Sequence, residues 1–289
     1  MARAGSRGLM AGSRRTMVIR IATCAELPEV DVDAAPLADA LRKAGIAARL
    51  LAWDDPAVAW DAAGPTLLRS TWNYALDVQA FLAWIDRVAA AGPLWNPAHV
   101  VRANVFKRYL VALGARGVPT VPTTLVERGA TATLPHKKLV IKPEVGAGSL
   151  GAKVFEPGDP AAAVHLAALT ATGAALVQPY LASVDDYGER SLIWIDGALT
   201  HAIRKSPRFA GDAESVTGPH PIAADERAVA EAALAPYAGE ILYGRVDLAR
   251  DGVGAPCVME LELVEPSLFF SKLPGAADRF VAGLRERLA

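Results

Sequence analysis

Cysteine is the scarcest informative residue. The 289-residue chain has two, Cys24 and Cys257, which support neither a disulfide framework nor a thiolate metal cluster; each reads as a small core residue. Also missing is a run of about eighteen apolar residues, the length a bilayer-spanning helix needs. The hydrophobic content of 52% is inflated by alanine and describes a globular interior. Net charge is nearly absent too: 30 basic against 31 acidic residues leave −1. Arg3, Arg7, Arg14 and Arg15 stand at the start of the chain with no acid among them, so the body is mildly acidic. That balance argues against general nucleic-acid binding. Residues 1–16 have no apolar segment of a secretory signal and are expected to be a disordered basic leader, with Met17 opening the folded part. The chain reads as cytoplasmic, without a membrane partner, and a homodimer is compatible with it.

What is present centres on Lys138–Phe155, KLVIKPEVGAGSLGAKVF. A β-forming run ends in Lys142-Pro143, a glycine-rich turn follows, and Lys153–Phe155 resumes as strand. Gly146, Gly148 and Gly151 spell G-x-G-x-x-G, but a dinucleotide fingerprint or a P-loop requires the turn to open a helix. No acid stands at the end of a second strand about twenty residues on, where a ribose would need it. Strand, glycine turn, strand reads instead as a flap over phosphates, with Lys142 as a point charge. An ordinary β-hairpin with a loose loop is the simpler alternative.

The pattern predicts strands over Met17–Cys24, Ile46–Trp53 and Thr66–Arg69, alternating with helices through Leu37 and Leu41 and through Phe81, Leu82, Ile85 and Val88. Such alternation implies a small parallel sheet with ligands beyond its carboxyl edge. Thr23–Pro28 and Arg69-Ser70-Thr71-Trp72-Asn73-Tyr74 sit where those edges should be. The second combines a cation, hydroxyls, an amide and aromatics, a mixture suited to a carboxylate or polar amino acid; packing of Trp72 and Tyr74 into the core is the competing reading. Further on, a helix over Asn104–Arg116 carries Lys107, and Ala174–Leu181 is a buried strand. Glu189–Ile195 and Ala198–Lys205 flank an Asp196-Gly197 turn as a hairpin, and Pro207–Pro221 reads as a polar loop. His201, within a strand, reads as structural. The fold class is α/β (α+β in total), divided as 17–97, 98–176 and 177–289.

The sharpest chemical signal is Asp247 with Glu260-Leu-Glu262. Residues two apart in a strand share a face, so Glu260 and Glu262 project together, with Met259, Leu261 and Leu263 on the other side. Carboxylates so placed repel unless a cation lies between them, and Asp247 can join them from a neighbouring strand. Oxygen-only ligation suits Mg²⁺. A solvated acidic row paired with Arg245 and Lys205 is the alternative.

Taken together, the two lysines, the glycine flap, the cationic end of the hairpin and the late carboxylates resemble the ATP-grasp superfamily of ATP-dependent carboxylate–amine ligases, over nearly the whole chain after Met17. RSTWNY, WNPAHVV, GVPTVPT, GERSL, THAIRK and ELELVEPSLFF are most similar to the subgroup that includes the cyclo-ligase closing the D-cycloserine ring from O-ureido-D-serine. The resemblance implies an ATP-grasp fold, with a small Rossmann-like N-terminal domain and two α+β subdomains clamping ATP. It implies nucleotide contacts from Lys107, Lys142, the loop Gly146–Gly151 with Gly148 and Ser149, the hinge Gln178, Pro179, Tyr180 and Leu181, Glu189, and a ribose-side acid at Asp185 or Asp186. Asp247, Glu260 and Glu262 would hold Mg²⁺, two ions being expected. Lys142, Arg204, Lys205 and Arg245 would spread charge during phosphoryl transfer to a substrate oxygen, before an amine captures the acyl phosphate. Arg69, Ser70, Thr71, Trp72, Asn73, Tyr74, Glu265 and Ser267 would meet a small amino-acid-like substrate. Departures from the pattern are Phe106 where an acid often stands, Ala103 where the subgroup has Trp, Glu262 for the usual Asn, and a 209–218 loop without the expected arginine and paired glycines. A small-molecule kinase on the same fold is the alternative activity, and a nucleotide sensor without turnover a third.

Overall fold

The computed structural model describes residues 17–148, 150–206 and 215–288, so the basic leader lies outside the described residues. The N-terminal unit runs β1 (Val18–Thr23), α1 (Ala34–Lys43), β2 (Ala47–Ala52), β3 (Thr66–Leu68), a 3₁₀ turn (Trp72–Leu76), α2 (Val78–Ala91) and β4 (Leu94–Trp95). Its four strands are parallel in the order β2-β1-β3-β4. β1 is apolar and buried along most of its length, as a parallel strand covered on both faces must be. α2 starts where the Asp77 carboxylate accepts the Ala80 N–H and buries Phe81, Leu82, Trp84, Ile85 and Val88, the stripe its spacing predicts.

A second unit follows α3 (Ala98–Asn104) and α4 (Tyr109–Ala115). It comprises β5 (Thr124–Val126), β6 (Leu139–Pro143), β7 (Lys153–Phe155), α5 (Pro160–Thr172) and β8 (Ala175–Pro179), in an antiparallel sheet ordered β5-β8-β6-β7. The expected division after residue 176 falls inside β8, all of which pairs within this sheet. The third unit is α6 (Ser183–Asp186), β9 (Glu189–Ile195), β10 (Ala198–Lys205), β11 (Val216–His220), α7 (Ala224–Leu234), β12 (Tyr243–Arg250), β13 (Pro256–Glu262) and α8 (Ala276–Leu288). Its antiparallel sheet is ordered β11-β10-β9-β12-β13. The Asp196-Gly197 turn has φ of 45° and 81°, the left-handed pair that a two-residue hairpin loop requires.

Two local expectations are corrected. The helix expected over Asn104–Arg116 begins only at Tyr109, as α4, and Lys107 lies in the break between α3 and α4, because tertiary bonds hold that stretch. The Lys107 N–H donates to the Glu144 carbonyl at 3.0 Å, and the Asn104 side chain bridges the Leu261 carbonyl and the Leu263 N–H at 2.8 and 2.7 Å. The stretch read as a polar loop contains β11, which pairs Lys205 with Val216 and Ala202 with His220; residues 207–214 lie outside the described residues.

The N-terminal and third units share a core. Ile19, Leu37, Leu67 and Trp95 pack with Ile193, Tyr243, Phe270 and Phe280. The Tyr243 hydroxyl donates toward the carbonyls of Leu68 and Val264, both at 2.8 Å, and Asn96 bonds Leu242, Tyr243 and Leu263. The second unit carries a smaller core of its own between its sheet and α5. No helix among the described residues is long and apolar enough to cross a membrane.

Candidate active site

A cleft of about 920 Å³ opens where the three sheets meet. Its floor is β12 and β13. Antiparallel pairing sets Arg245 opposite Glu262 and Asp247 opposite Glu260, and strand alternation puts these four side chains on one face. One carboxylate oxygen from each of Asp247, Glu260 and Glu262 lies within 4.8 Å of the others. Cations hold them there. Arg245 reaches Asp247 through Nε and Nη2, both at 2.9 Å, and Glu262 at 2.5 Å. Lys205 bridges Glu189 at 2.6 Å and Asp247 at 3.2 Å. Glu260 receives Lys107 at 3.1 Å and Lys142 at 3.4 Å. The pairing with Arg245 and Lys205 foreseen for a solvated row is therefore present, but inside a cleft.

Burial sets the titration of these acids, and their neighbours decide its direction. Burial pushes the Glu260 carboxyl up, but Lys107 and Lys142 outweigh it and hold it down at about 2. Burial also opposes ionisation of Asp247, yet Arg245 and Lys205 keep it well below the usual carboxylate range. Burial, reinforced by the charge of Asp247, lifts Glu189 to about 7 despite Lys205. Burial and the charge of Glu262 lift Glu265 to about 8. Glu262 is itself raised, because burial with Asp247 and Glu260 nearby exceeds what Arg245 returns.

The wall opposite β12 and β13 comes from the second unit. Lys142, Gly146, Gly148, Gln178, Pro179, Tyr180 and Leu181 line the cleft, with Glu189 at its side. β6 and β7 pair from Leu139–Phe155 to Ile141–Lys153, so the glycine turn is a hairpin flap. Lys107 ties it down by donating to the Gly146 carbonyl at 2.6 Å. Gly148 and Gly151 adopt φ of 58° and 75°, where a side chain would be strained. Gly151 lies outside the cleft lining, against Pro143, and Ser149 lies outside the described residues.

Several of the expected site residues lie outside the cleft lining. Arg204 faces solvent and bonds the Asp186 carbonyl. Asp185 and Asp186 are exposed outside the lining, with Asp185 on the Tyr180 hydroxyl. Of RSTWNY, only Trp72, Asn73 and Tyr74 reach the cleft. Arg69 is buried between Asp33 at 3.1 Å and the Pro266 carbonyl at 3.0 Å, Ser70 bonds the Thr23 hydroxyl, and Thr71 is enclosed. Their strand end points into the interface between units, where the packing is polar but closed. Glu265 and Ser267 do line the cleft.

Other lining residues escaped the sequence. Met259 was placed opposite Glu260, but a bulge lets the register pass from Asp247–Glu260 to Leu248–Val258 and turns Met259 into the cleft. Asn104 and Tyr109 enter through the broken helix, and Asp54 and Phe269 through loops. Asp54 stands just past the carboxyl end of β2, the place where a parallel sheet is expected to bind ligands; that signal was available. His201 is buried on the Leu268 carbonyl, and both cysteines are buried and free.

Known proteins share this arrangement of elements. A sequence profile described as the N-terminal domain of D-cycloserine synthetase DcsG matches residues 19–96. The cycloserine biosynthesis protein DcsG of Streptomyces lavendulae is 35% identical over 305 aligned residues, covering 94% of this chain and 99% of that protein. The crystal structure of D-cycloserine synthetase DcsG superposes with a TM-score of 0.86 at 35% identity, over 94% of this chain and 100% of that one. D-alanine–D-alanine ligase from Bacillus anthracis, solved in complex with ATP, gives a TM-score of 0.66 at 18% identity, over 93% of this chain and 96% of that one. This last is a likeness of fold.

Proposed function

The chain belongs to the D-cycloserine synthetase DcsG family of ATP-grasp ligases, and from that membership we propose that it uses ATP to activate a small amino-acid-like substrate and form a C–N bond, closing a ring or joining an amine. The observation that carries the reading is the cleft itself. Lys142 and the glycine flap on one sheet face the Asp247, Glu260 and Glu262 carboxylates on another. The all-oxygen donor set, within 4.8 Å, suits Mg²⁺, and three acids where two would suffice support two ions. Bound there, Mg²⁺ supplies positive charge to the phosphate oxygens.

The chain's own residues have separable tasks. Lys107 and Lys142 both sit on Glu260 and are free to turn to phosphate oxygens once that carboxylate has another cation. Arg245 and Lys205, fixed by Asp247, face the same space and stabilise charge as the γ-phosphoryl group moves to the substrate oxygen and ADP leaves. Phosphoryl transfer needs chiefly positioning and electrostatics, so no side-chain nucleophile is required. The amine then displaces phosphate from the acyl phosphate and gives up a proton. The closed flap keeps out the water that would hydrolyse the intermediate.

O-ureido-D-serine is the first substrate to test. The expected outcome is Mg²⁺-dependent release of ADP and inorganic phosphate, with D-cycloserine identified by mass spectrometry; the ureido nitrogen closes the ring on the activated carboxyl, and its carbamoyl group leaves by hydrolysis as CO2 and ammonia, with one water consumed. Lys142→Ala and Glu260→Ala should each lower ADP release by about 100-fold or more, with the circular dichroism spectrum unchanged. Turnover persisting in either variant would sink the site assignment. A phosphorylated product in place of free phosphate would move the protein to the kinase class.

A further inference from the structure

We infer that Glu265 receives the ammonium group of an amino-acid substrate, so that the cleft selects compounds with a free α-amine. The inference deepens the ligase reading and rests on it. Five acids stand at the floor of the cleft: Glu189, Asp247, Glu260, Glu262 and Glu265, all of them lining it except Asp247, which is buried against Glu260 and Glu262. The first four are each within 4.0 Å of a lysine or arginine nitrogen. Among the described residues no such nitrogen comes that close to Glu265. Lys107 and Arg245 are near enough to feel its charge, but Glu260 holds one, and Asp247 and Glu262 hold the other.

Glu265 is nevertheless 8% exposed, and a carboxylate buried without a counter-ion is costly. Its side chain has the Tyr74 hydroxyl for a partner, a neutral donor and not a counter-ion. A substrate ammonium would complete the pair with a charge-assisted bond. Trp72, Tyr74 and Phe269 line the cleft with it, and aromatic faces favour a cation.

The backbone shows that this placement is not incidental. Successive carbonyls are each held by a side chain from a different element: Glu265 by Trp72 at 3.0 Å, Pro266 by Arg69 at 3.0 Å, Ser267 by Arg245 at 3.2 Å and Leu268 by His201 at 3.1 Å. The Leu268 and Phe270 N–H groups both donate to Asp33, at 2.5 and 2.8 Å. Between them Phe269 is left-handed, with φ of 49°. A bulky residue persists in that conformation only where its surroundings over-determine it, as at ligand sites. The segment 265–270 is thus a fixed strap. It fixes the backbone of Glu265 beside the metal-ligand face. An α-ammonium resting there would set the adjacent substrate carboxylate toward that face.

The test compares free amines with matched compounds lacking them, in wild type and in the isosteric Glu265→Gln variant. Thermal shifts are measured with the β,γ-imido analogue of ATP and Mg²⁺, over O-ureido-D-serine, a panel of D- and L-amino acids, and the corresponding 2-hydroxy acids. Wild type should be stabilised by amino acids and not by hydroxy acids. Glu265→Gln should abolish the distinction, raise KM for the amino acid roughly 10–100-fold and leave KM for ATP unchanged. Glu265→Asp, which retains the charge, should restore part of the preference. A Glu265→Gln protein that keeps the wild-type preference overturns the inference. So does a wild type that binds both series equally, or binds neither. If wild type prefers amines but makes a product without a new C–N bond, the ligase reading fails and the role of Glu265 stands.

Discussion

Along β10 the side chains alternate, so Arg204 stands in solvent on the Asp186 carbonyl, while Lys205, next to it, is buried between Glu189 and Asp247. Burial and the neighbouring Arg245 both work against the Lys205 ammonium, yet Asp247 and Glu189 hold its pKa above the ordinary lysine value. It therefore stays charged in the cleft. The two substitutions should separate cleanly. Lys205→Gln removes a fixed positive charge from the phosphoryl-transfer face and should lower kcat by about 100-fold or more. Arg204→Ala, an exposed change, should leave kcat within about twofold, as surface substitutions usually do. Steady-state ADP release in both variants checks this, and equal losses would place Arg204 back among the catalytic groups.

At the scale of the element, the strap depends on a residue far away in the chain. Asp33 occupies the N-cap position of α1 but makes no cap bond to that helix; its carboxylate is spent on the strap and on Arg69. Arg69 in turn lies over the Tyr243 and Phe270 rings at 5.5 and 6.0 Å. Asp33→Ala would leave a buried guanidinium without its counter-ion and two strap N–H groups unpaired. Removing one partner of a buried ion pair costs about 3–5 kcal/mol. Denaturant unfolding should show a loss of that order, with KM for the amino-acid substrate raised beyond KM for ATP. A loss below about 1 kcal/mol would mean that the pair contributes little to stability.

The same pair marks the limit of what the sequence could tell. The Asp-Gly hairpin, the α2 stripe and the shared face of Glu260 and Glu262 were legible because each is fixed by neighbours in the chain. Arg69 was expected at the substrate because its segment has the right composition, but its partners are 36 and 197 residues away, and nothing local announces them. The break in the helix at Lys107 and the bulge at Met259 have the same cause: long-range pairing to residues 144 and 247–248 overrides a local period. Lys107, Lys142, the flap, the hinge strand and the carboxylates do meet in one cleft. Asp185 and Asp186 are exposed outside that lining, a placement that residue type alone does not give.

For the whole molecule, the two central strands of the five-stranded sheet form the spine. Leu192, Trp194, Val246 and Leu248 pack into one core, while Ile193, Ile195 and Tyr243 on the opposite face pack into another. β9 and β12 are therefore covered on both sides. The flap has lighter support, with Val145 and Ala147 only partly buried against the N-terminal core. Its hairpin is at the edge of a smaller sheet, Leu150 at its tip is 59% exposed, and its tie across the cleft is Lys107 on the Gly146 carbonyl. Local opening tracks buried contacts and protected hydrogen bonds, which orders the expected amide exchange: β9 and β12 slowest, near the global limit, and residues 144–152 fast. If Lys107 and Lys142 turn from Glu260 to phosphates, the flap gains contacts that the spine does not need. The ATP analogue with Mg²⁺ should then slow exchange over 144–152 by about tenfold or more, a gain of about 1.4 kcal/mol in opening free energy, while β9 and β12 are unchanged. The analogue without Mg²⁺ should give little protection, because Glu260 then has no other cation and keeps its lysines. Equal slowing across flap and spine would point to general tightening of the protein, and the exchange of partners at Glu260 would have to be abandoned.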